Sequence, residues 1–448
     1  MSMKTGRRGS FGHTAALILL LLIALALVAL VLLRVPQARA QEAVEAAAIP
    51  RTSAPAPHGD PTAAPADMTA SEPPASAPAG NNPESTPEPA PTPEPEPEYF
   101  TISMVGDCTL AEAKSRRGWG IAYQGVVGKN YAYPFANTRS FFEDDYLTIA
   151  NLECVLSDNY YDSIEQFVFL APAAYANILS EGCVDFVTLA NNHTLDFGQN
   201  AYNDTKASLD AAGVAYAGED ETYIYQTGDG LKIGIYCLYN RLTGNMLSTI
   251  SAAAQEQLVA ESKRMIQAAE KSLREQGAEY IVACLHMGTE GSYETSEIQL
   301  DVCRYTIDSG FDLVYCSHAH RLQPAEEYGG GLIFYGLGNW SFGGHTNPGG
   351  DSGDKAAYDT GIAQVTVCRR GDAVTLESFD FTPCCISSSA GTELDSFVPT
   401  PNTLNNYQPT PYLRDGEAWQ RTMSILEGAY AGANFVPSYW DLLTQMNG

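Results

Sequence analysis

The sequence predicts an α/β layered fold with a mixed β-sheet core flanked by helices, and three features carry that prediction. Between residues 99 and 383, short apolar runs of strand length alternate with stretches of helical period. Two pairs of runs are joined by Gly-Asp turns, which adds antiparallel hairpins to the βα order. Six runs stop at a polar residue or cluster of metal-ligand type, where open α/β sheets place their sites.

The chain begins with a leader. Residues 1–13 are basic, with Lys4, Arg7 and Arg8, and residues 14–33 carry no charge. About 20 apolar residues suffice to span a bilayer as a helix, and the preceding positive charges keep the N-terminus cytoplasmic. Residues 14–33 are therefore expected to be a single-pass signal-anchor in the cell membrane, with the globular part extracytoplasmic. The alternative is secretion after signal cleavage near Ala40, at Ala38-Arg39-Ala40; the run exceeds a usual signal h-region, which favours the anchor. Residues 34–98 are rich in Pro, Ala and Glu and cannot bury a core, so they read as a disordered linker.

The elements then follow in order. The run YFTISMVGD is a strand ending at Asp107, and a helix is expected around Asn137–Phe142. A second strand ends near Asn151. Pro172–Ser180 is helical with Pro in the first turn, and Phe186–Ala190 is a strand. Asn200–Ala212 is a helix stopped by Gly213. Strands Tyr223–Gln226 and Leu231–Leu238 flank Gly228-Asp229-Gly230. Ala252–Gln276 is the longest helix. Strand Tyr280–Leu285, helix Ser296–Asp308, and strands Leu313–Cys316 and Leu332–Leu337 repeat the unit. Gly361–Arg369 and Ala373–Phe381 form a hairpin, and a last helix is expected near Trp419–Gly428. These elements place one domain at 99–383 and a C-terminal extension at 384–448 that packs on it.

The net charge of −28, from 25 basic against 53 acidic residues, argues against nucleic acid as a partner, because such binders need clustered cations. Any anionic substrate must be gripped locally. Of the ten cysteines, Cys237, Cys284, Cys316 and Cys368 fall inside strands, where thiols behave as small apolar residues. The absence of a CxxC pair argues against a zinc knuckle.

The strand ends bring Asp107, Glu153, Asn192, His193, His286, His318, His320 and Asn339 to bear. A mixed carboxylate and imidazole set suits Mn, Fe or Zn, and paired ions bridged by a carboxylate activate water. His318 and His320 would share a face on a regular strand, or would splay to two ions in a loop. Four of the seven histidines lie on these ends. No phosphate loop or nucleophile elbow is visible.

At these residues the chain resembles the CapA family of poly-γ-glutamate capsule proteins, within the calcineurin-like metallophosphoesterase-fold group. The resemblance runs from about Phe100 to Phe342, through GDCTL, NLECVLS, ANNHTLDFG, HMGTE, HAHRLQP and YGLGNWSF. It implies a metallophosphoesterase-like fold and two divalent transition-metal ions. Asp107 and His320 would hold one ion, Asn192, His286 and His318 the other, with Glu153 as bridge. His193 would protonate a leaving group, with Asp196 orienting its loop. Glu290 and Gln323 would support the ligands from behind, and Asn339 would shape the pocket floor. The implied partners are an anionic polymer such as poly-γ-glutamate and membrane-embedded capsule synthesis subunits. A surface phosphoesterase unrelated to capsule, or a non-enzymatic polymer-handling subunit, are the competing functions. The family often has Trp at Met287, and Gly and Pro at Cys316 and Ala319. These departures spare the ligand positions and bear on pocket shape.

Overall fold

In the computed structural model the apolar runs become two β-sheets packed face to face. The structure describes residues 95–114, 122–165, 167–343, 354–388 and 405–430. The chain divides into two units, Met1–Pro89 and Ala90–Gly448, and the described residues all belong to the second. The expected signal-anchor at 14–33 and all but the last residues of the linker at 34–98 lie outside them. Among the described residues no helix is long and apolar enough to cross a membrane.

The strands run β1 (Glu98–Cys108), β2 (Leu147–Leu152), β3 (Val155–Leu156), β4 (Leu170–Ala171), β5 (Phe186–Thr188), β6 (Ala215–Ala217), β7 (Glu221–Tyr225), β8 (Ile233–Leu238), β9 (Tyr280–His286), β10 (Leu313–Ser317), β11 (Ala325–Tyr328), β12 (Gly331–Phe334), β13 (Asp359–Arg370), β14 (Ala373–Cys385) and β15 (Thr410–Pro411). One sheet has the order β15-β14-β13-β1-β2-β5-β6, the other β11-β12-β10-β9-β8-β7, and β3-β4 form a small pair. In the first sheet β1, β2, β5 and β6 are parallel, while β13 and β14 join antiparallel. In the second, β8, β9, β10 and β12 are parallel, with antiparallel edges. Both sheets are thus mixed.

Period-two alternation sorts the side chains into layers. Ile102, Met104, Ile149, Ile235, Val282, Cys284 and Tyr315 form one core between the sheets. Ala150, Leu152 and Val187 face the other way, onto helices Ala176–Glu181 and Gln199–Ala212. Ile281, Ala283, Leu285 and Val314 pack under helices Ala252–Glu275 and Glu297–Asp308. The result is helix, sheet, sheet, helix. At the carboxyl ends of the parallel strands the inter-sheet face turns polar without changing its alternation: Leu147, Ile149, Asn151 on β2 and Val282, Cys284, His286 on β9.

The helices stop where local chemistry requires. Gly213 closes Gln199–Ala212 in a left-handed conformation, φ 73°. Ser296 and Gln299 form a reciprocal capping box at the start of Glu297–Asp308. The expected helix at Asn137–Phe142 forms only a 3-10 turn, Arg139–Phe141. The stretch after Pro172 divides into a 3-10 turn and the short helix Ala176–Glu181. The strand expected over Leu332–Leu337 ends at Phe334, and the chain beyond turns to bond β1, with Asp107 N donating to Gly338 O at 2.9 Å. The C-terminal helix Glu417–Leu426 docks on β14. Arg421 there grips buried Asp359 with two bonds of 2.6 and 2.7 Å, and Tyr412 OH donates to the same carboxylate. All ten cysteines are free and nine are buried.

Candidate metal centre

The polar strand ends converge at the seam between the two sheets. From one sheet come Asp107 on β1, Glu153 after β2, and Asn192 and His193 after β5. From the other come His286 on β9 and His318 and His320 after β10. Two sets of donor atoms fall within reach of a common point: Glu153, His286 and His318, and Asp107, Glu153 and His320. Glu153 belongs to both.

In the first set, His286 Nε2 lies 3.2 Å from Glu153 Oε1, 2.7 Å from Asn192 Oδ1 and 3.1 Å from His318 Nδ1. These four atoms are all lone-pair donors, and one proton can satisfy only one contact among them. Glu153 Oε2 and His318 Nε2 are buried without any hydrogen-bond partner. Buried polar atoms are normally paired. A divalent cation is what such a set of converging and orphaned atoms fits, so the residues present suit the ion that the donor chemistry implies.

In the second set, His320 Nδ1 is 3.1 Å from Asp107 Oδ2 and 3.0 Å from Asn339 Oδ1, and His320 Nε2 is 4.0 Å from Glu153 Oε2. His318 and His320 diverge because neither continues the strand. Both take positive φ, 99° and 53°, a conformation that non-glycine residues hold only when their surroundings enforce it. The kink sends one imidazole to each set.

Electrostatics follow from burial. Burial, and then the neighbouring histidines, push His286 and His318 well below the ordinary imidazole range, so both rings are neutral and ready to ligate. Burial and the Asp107 charge raise Glu153 to about 7. Burial opposes the charged form of His320, but Glu153 and Asp107 outweigh it and lift it to about 9. Without a cation the site thus favours protons as its positive charge.

The family described as bacterial capsule synthesis protein PGA_cap matches residues 101–343, more than half of the 448-residue chain. The chain belongs to that family. It is 23% identical over 288 residues to the "capsule biosynthesis protein CapA" of Bacillus anthracis, covering 62% of this chain and 66% of that protein. It is 28% identical over 205 residues to the "PGA biosynthesis protein CapA" of Bacillus subtilis, covering 43% and 49%. The chain therefore matches between about half and just under two thirds of the length of these relatives. Among solved structures, a calcineurin-like phosphoesterase from Bacillus subtilis is 12% identical with TM-score 0.37, covering 65% of this chain and 91% of that one. A phosphatase from Mycoplasma pneumoniae is 12% identical with TM-score 0.35, covering 64% and 93%.

In this capsule-family chain the remaining expected residues take distinct places. His193 Nδ1 lies 3.1 Å from Asp196 Oδ2, which also accepts Phe169 N. Burial disfavours the charged imidazole, yet Asp196 holds the His193 pKa above its ordinary value. Glu290 is half exposed, with Oε1 3.8 Å from His318 Nε2 and accepting from Asn245. Among the described residues Gln323 makes no hydrogen bond to the ligand-type side chains. Its amide donates to Ser292 O and Glu294 O and accepts from Gln299, bracing the loop that carries Glu290. Three residues absent from the sequence-based set prove central: Asn151, Asn191 and Ser317, whose Oγ is 2.8 Å from His286 Nδ1. Asn151 had one legible signal, a polar residue in phase with Leu147 and Ile149 on a buried strand face.

Proposed function

We propose that this chain is a membrane-anchored, extracytoplasmic protein of poly-γ-glutamate capsule or related surface-polymer synthesis, export or attachment, carrying a two-ion, hydrolase-type centre. The observation that supports the centre is Glu153, shared by two donor sets and left with a buried, partnerless Oε2. Asp107 and His320 would hold one ion, Asn192, His286 and His318 the other, and Glu153 would bridge. The histidine and carboxylate donors suit Mn, Fe or Zn. Bound divalent ions would supply Lewis acidity and a water of lowered pKa. His193, whose pKa Asp196 raises against the effect of burial, would donate a proton to the leaving group. Membership of the capsule family and the capsule-biosynthesis names of its relatives support the polymer as substrate or cargo, and membrane-embedded synthesis subunits as partners.

The test uses the full chain in detergent. Bound transition metal is measured, and hydrolysis is assayed on phosphodiesters and on γ-glutamyl polymer. The expected result is about two ions per chain, with metal and activity lost together in Asp107→Ala and His318→Ala. A metal-free wild type that still supports polymer export would sink the two-ion reading.

A further inference from the structure

We propose that Asn151 is a positioning residue that fixes how the carboxylates of Asp107 and Glu153 are turned toward the ions, and that Asn191 ties this orientation to the loop carrying His193; the inference rests on the two-ion reading above. Asn151 is fully buried. Its amide nitrogen has two hydrogens to give, and two carboxylate oxygens to receive them: Asp107 Oδ1 at 2.9 Å and Glu153 Oε1 at 3.0 Å. The other oxygen of each carboxylate is thereby left free of Asn151, while Glu153 Oε1 also stands 3.2 Å from His286 Nε2 in the first donor set. Asp107 Oδ2 faces His320, and Glu153 Oε2 is the partnerless atom. His286 Nδ1 is 3.5 Å from the same nitrogen, at the limit of a bond, and is already matched to Ser317.

The orientation of the Asn151 amide is fixed by its neighbour. Asn191 Oδ1 accepts from His193 N at 3.1 Å and from Thr194 Oγ1 at 3.0 Å. Asn191 Nδ2 must then point the opposite way, to Leu152 O at 2.8 Å and Asn151 Oδ1 at 3.1 Å. Turning Asn151 over would set two amide nitrogens against each other and put its oxygen against two carboxylates. The donor must also be neutral. A carboxylate here would be a third acceptor in the buried site, and a cationic side chain would compete with the ions. The chain of bonds from His193 N through Asn191 and Asn151 to both carboxylates thus sets the proton-donor loop and the ligand oxygens from one frame.

The test uses the full-length chain, stripped with chelator and titrated with Mn(II) and with Co(II). Asn151→Ala and the isosteric Asn151→Asp are compared with wild type, and apo melting curves report folding. Asp keeps the acceptor for Asn191 but loses both donors, so it carries the test if the alanine variant does not fold. The expected result for Asn151→Ala is Mn(II) affinity weaker by about 10–100-fold. The expected result for both variants is a changed Co(II) absorption spectrum, because freed carboxylates can turn and offer both oxygens. Loss of affinity with an unchanged Co(II) spectrum would mark a merely structural residue and overturn the inference, as would wild-type affinity with an unchanged spectrum. A wild type that takes up neither ion would overturn the two-ion reading itself.

Discussion

Individual residues in this fold are governed by what burial does to charge. Outside the metal centre the clearest case is Asp145, at the opposite end of β2 from Glu153. Burial, helped by Asp185 and Asp144, raises it to about 6 against the pull of bonds from Ser103 and Gln364. A carboxyl whose folded pKa exceeds its unfolded one holds its proton longer in the native state. Stability from this group is therefore retained below about pH 4 and lost as pH rises toward about 6. Asp145→Asn, which can still accept from Ser103, is expected to flatten that loss and to be more stable than wild type at pH 7 in urea titrations. An unchanged slope between about pH 4 and 6 would contradict it. The ligand-type residues stood out in the sequence because Asp, Glu and His recur together at successive strand ends. Asn151 had only its polar character in phase with Leu147 and Ile149 to mark it, and Asn191 reads equally as turn chemistry; the role of each depends on which neighbours meet it across β1, β2 and β5.

At the level of elements, β1 is where backbone packing and the site depend on one another. A Cβ on Gly106 would lie 2.1 Å from Gly338 O, and that carbonyl accepts from Asp107 N. Trp340 N in turn donates to Asp107 O at 2.8 Å. Gly106→Ala must push β1 away from residues 338–340 and carry Asp107 and Asn339 with it. Overpacking of this kind costs about 1–3 kcal/mol, so melting temperature and metal occupancy are both expected to fall. A variant that melts like wild type and keeps its metal would refute this. The alternation of strands and helices was readable from periodicity, and the hairpin of β13 and β14 from its Gly-Asp turn. The three-residue strand β6 was not, since it is too short to show a period. Nor was the kink at His318 and His320, because positive φ at non-glycine residues leaves no mark in the sequence. Gln323 bonds Ser292 and Glu294 rather than the ligand-type side chains.

For the molecule as a whole, the described part of the C-terminal segment is held on the double sheet by β15 pairing with β14, by Ile425 and Leu426, and by a buried ionic clamp. Asp359, at the start of β13, has no solvent contact of its side chain, and Arg421 with Tyr412 supplies its partners. Arg421→Ala leaves that buried carboxylate with no countercharge, at a cost of about 3–5 kcal/mol. The expected signature is a lower urea midpoint, with release of helix Glu417–Leu426 seen by hydrogen exchange. A loss below about 1 kcal/mol would show the clamp to be dispensable. The seam position of the metal centre has a different consequence. Each donor set draws on both sheets, Glu153 with His286 and His318, and Asp107 and Glu153 with His320. A chain in which either sheet has formed alone can complete neither set. Ion uptake would then report that the two halves have met in register, and an ion that binds only the assembled state would stabilise that state by mass action. On the two-ion reading, cation capture would act as a checkpoint on maturation, passed only by molecules whose halves are already aligned.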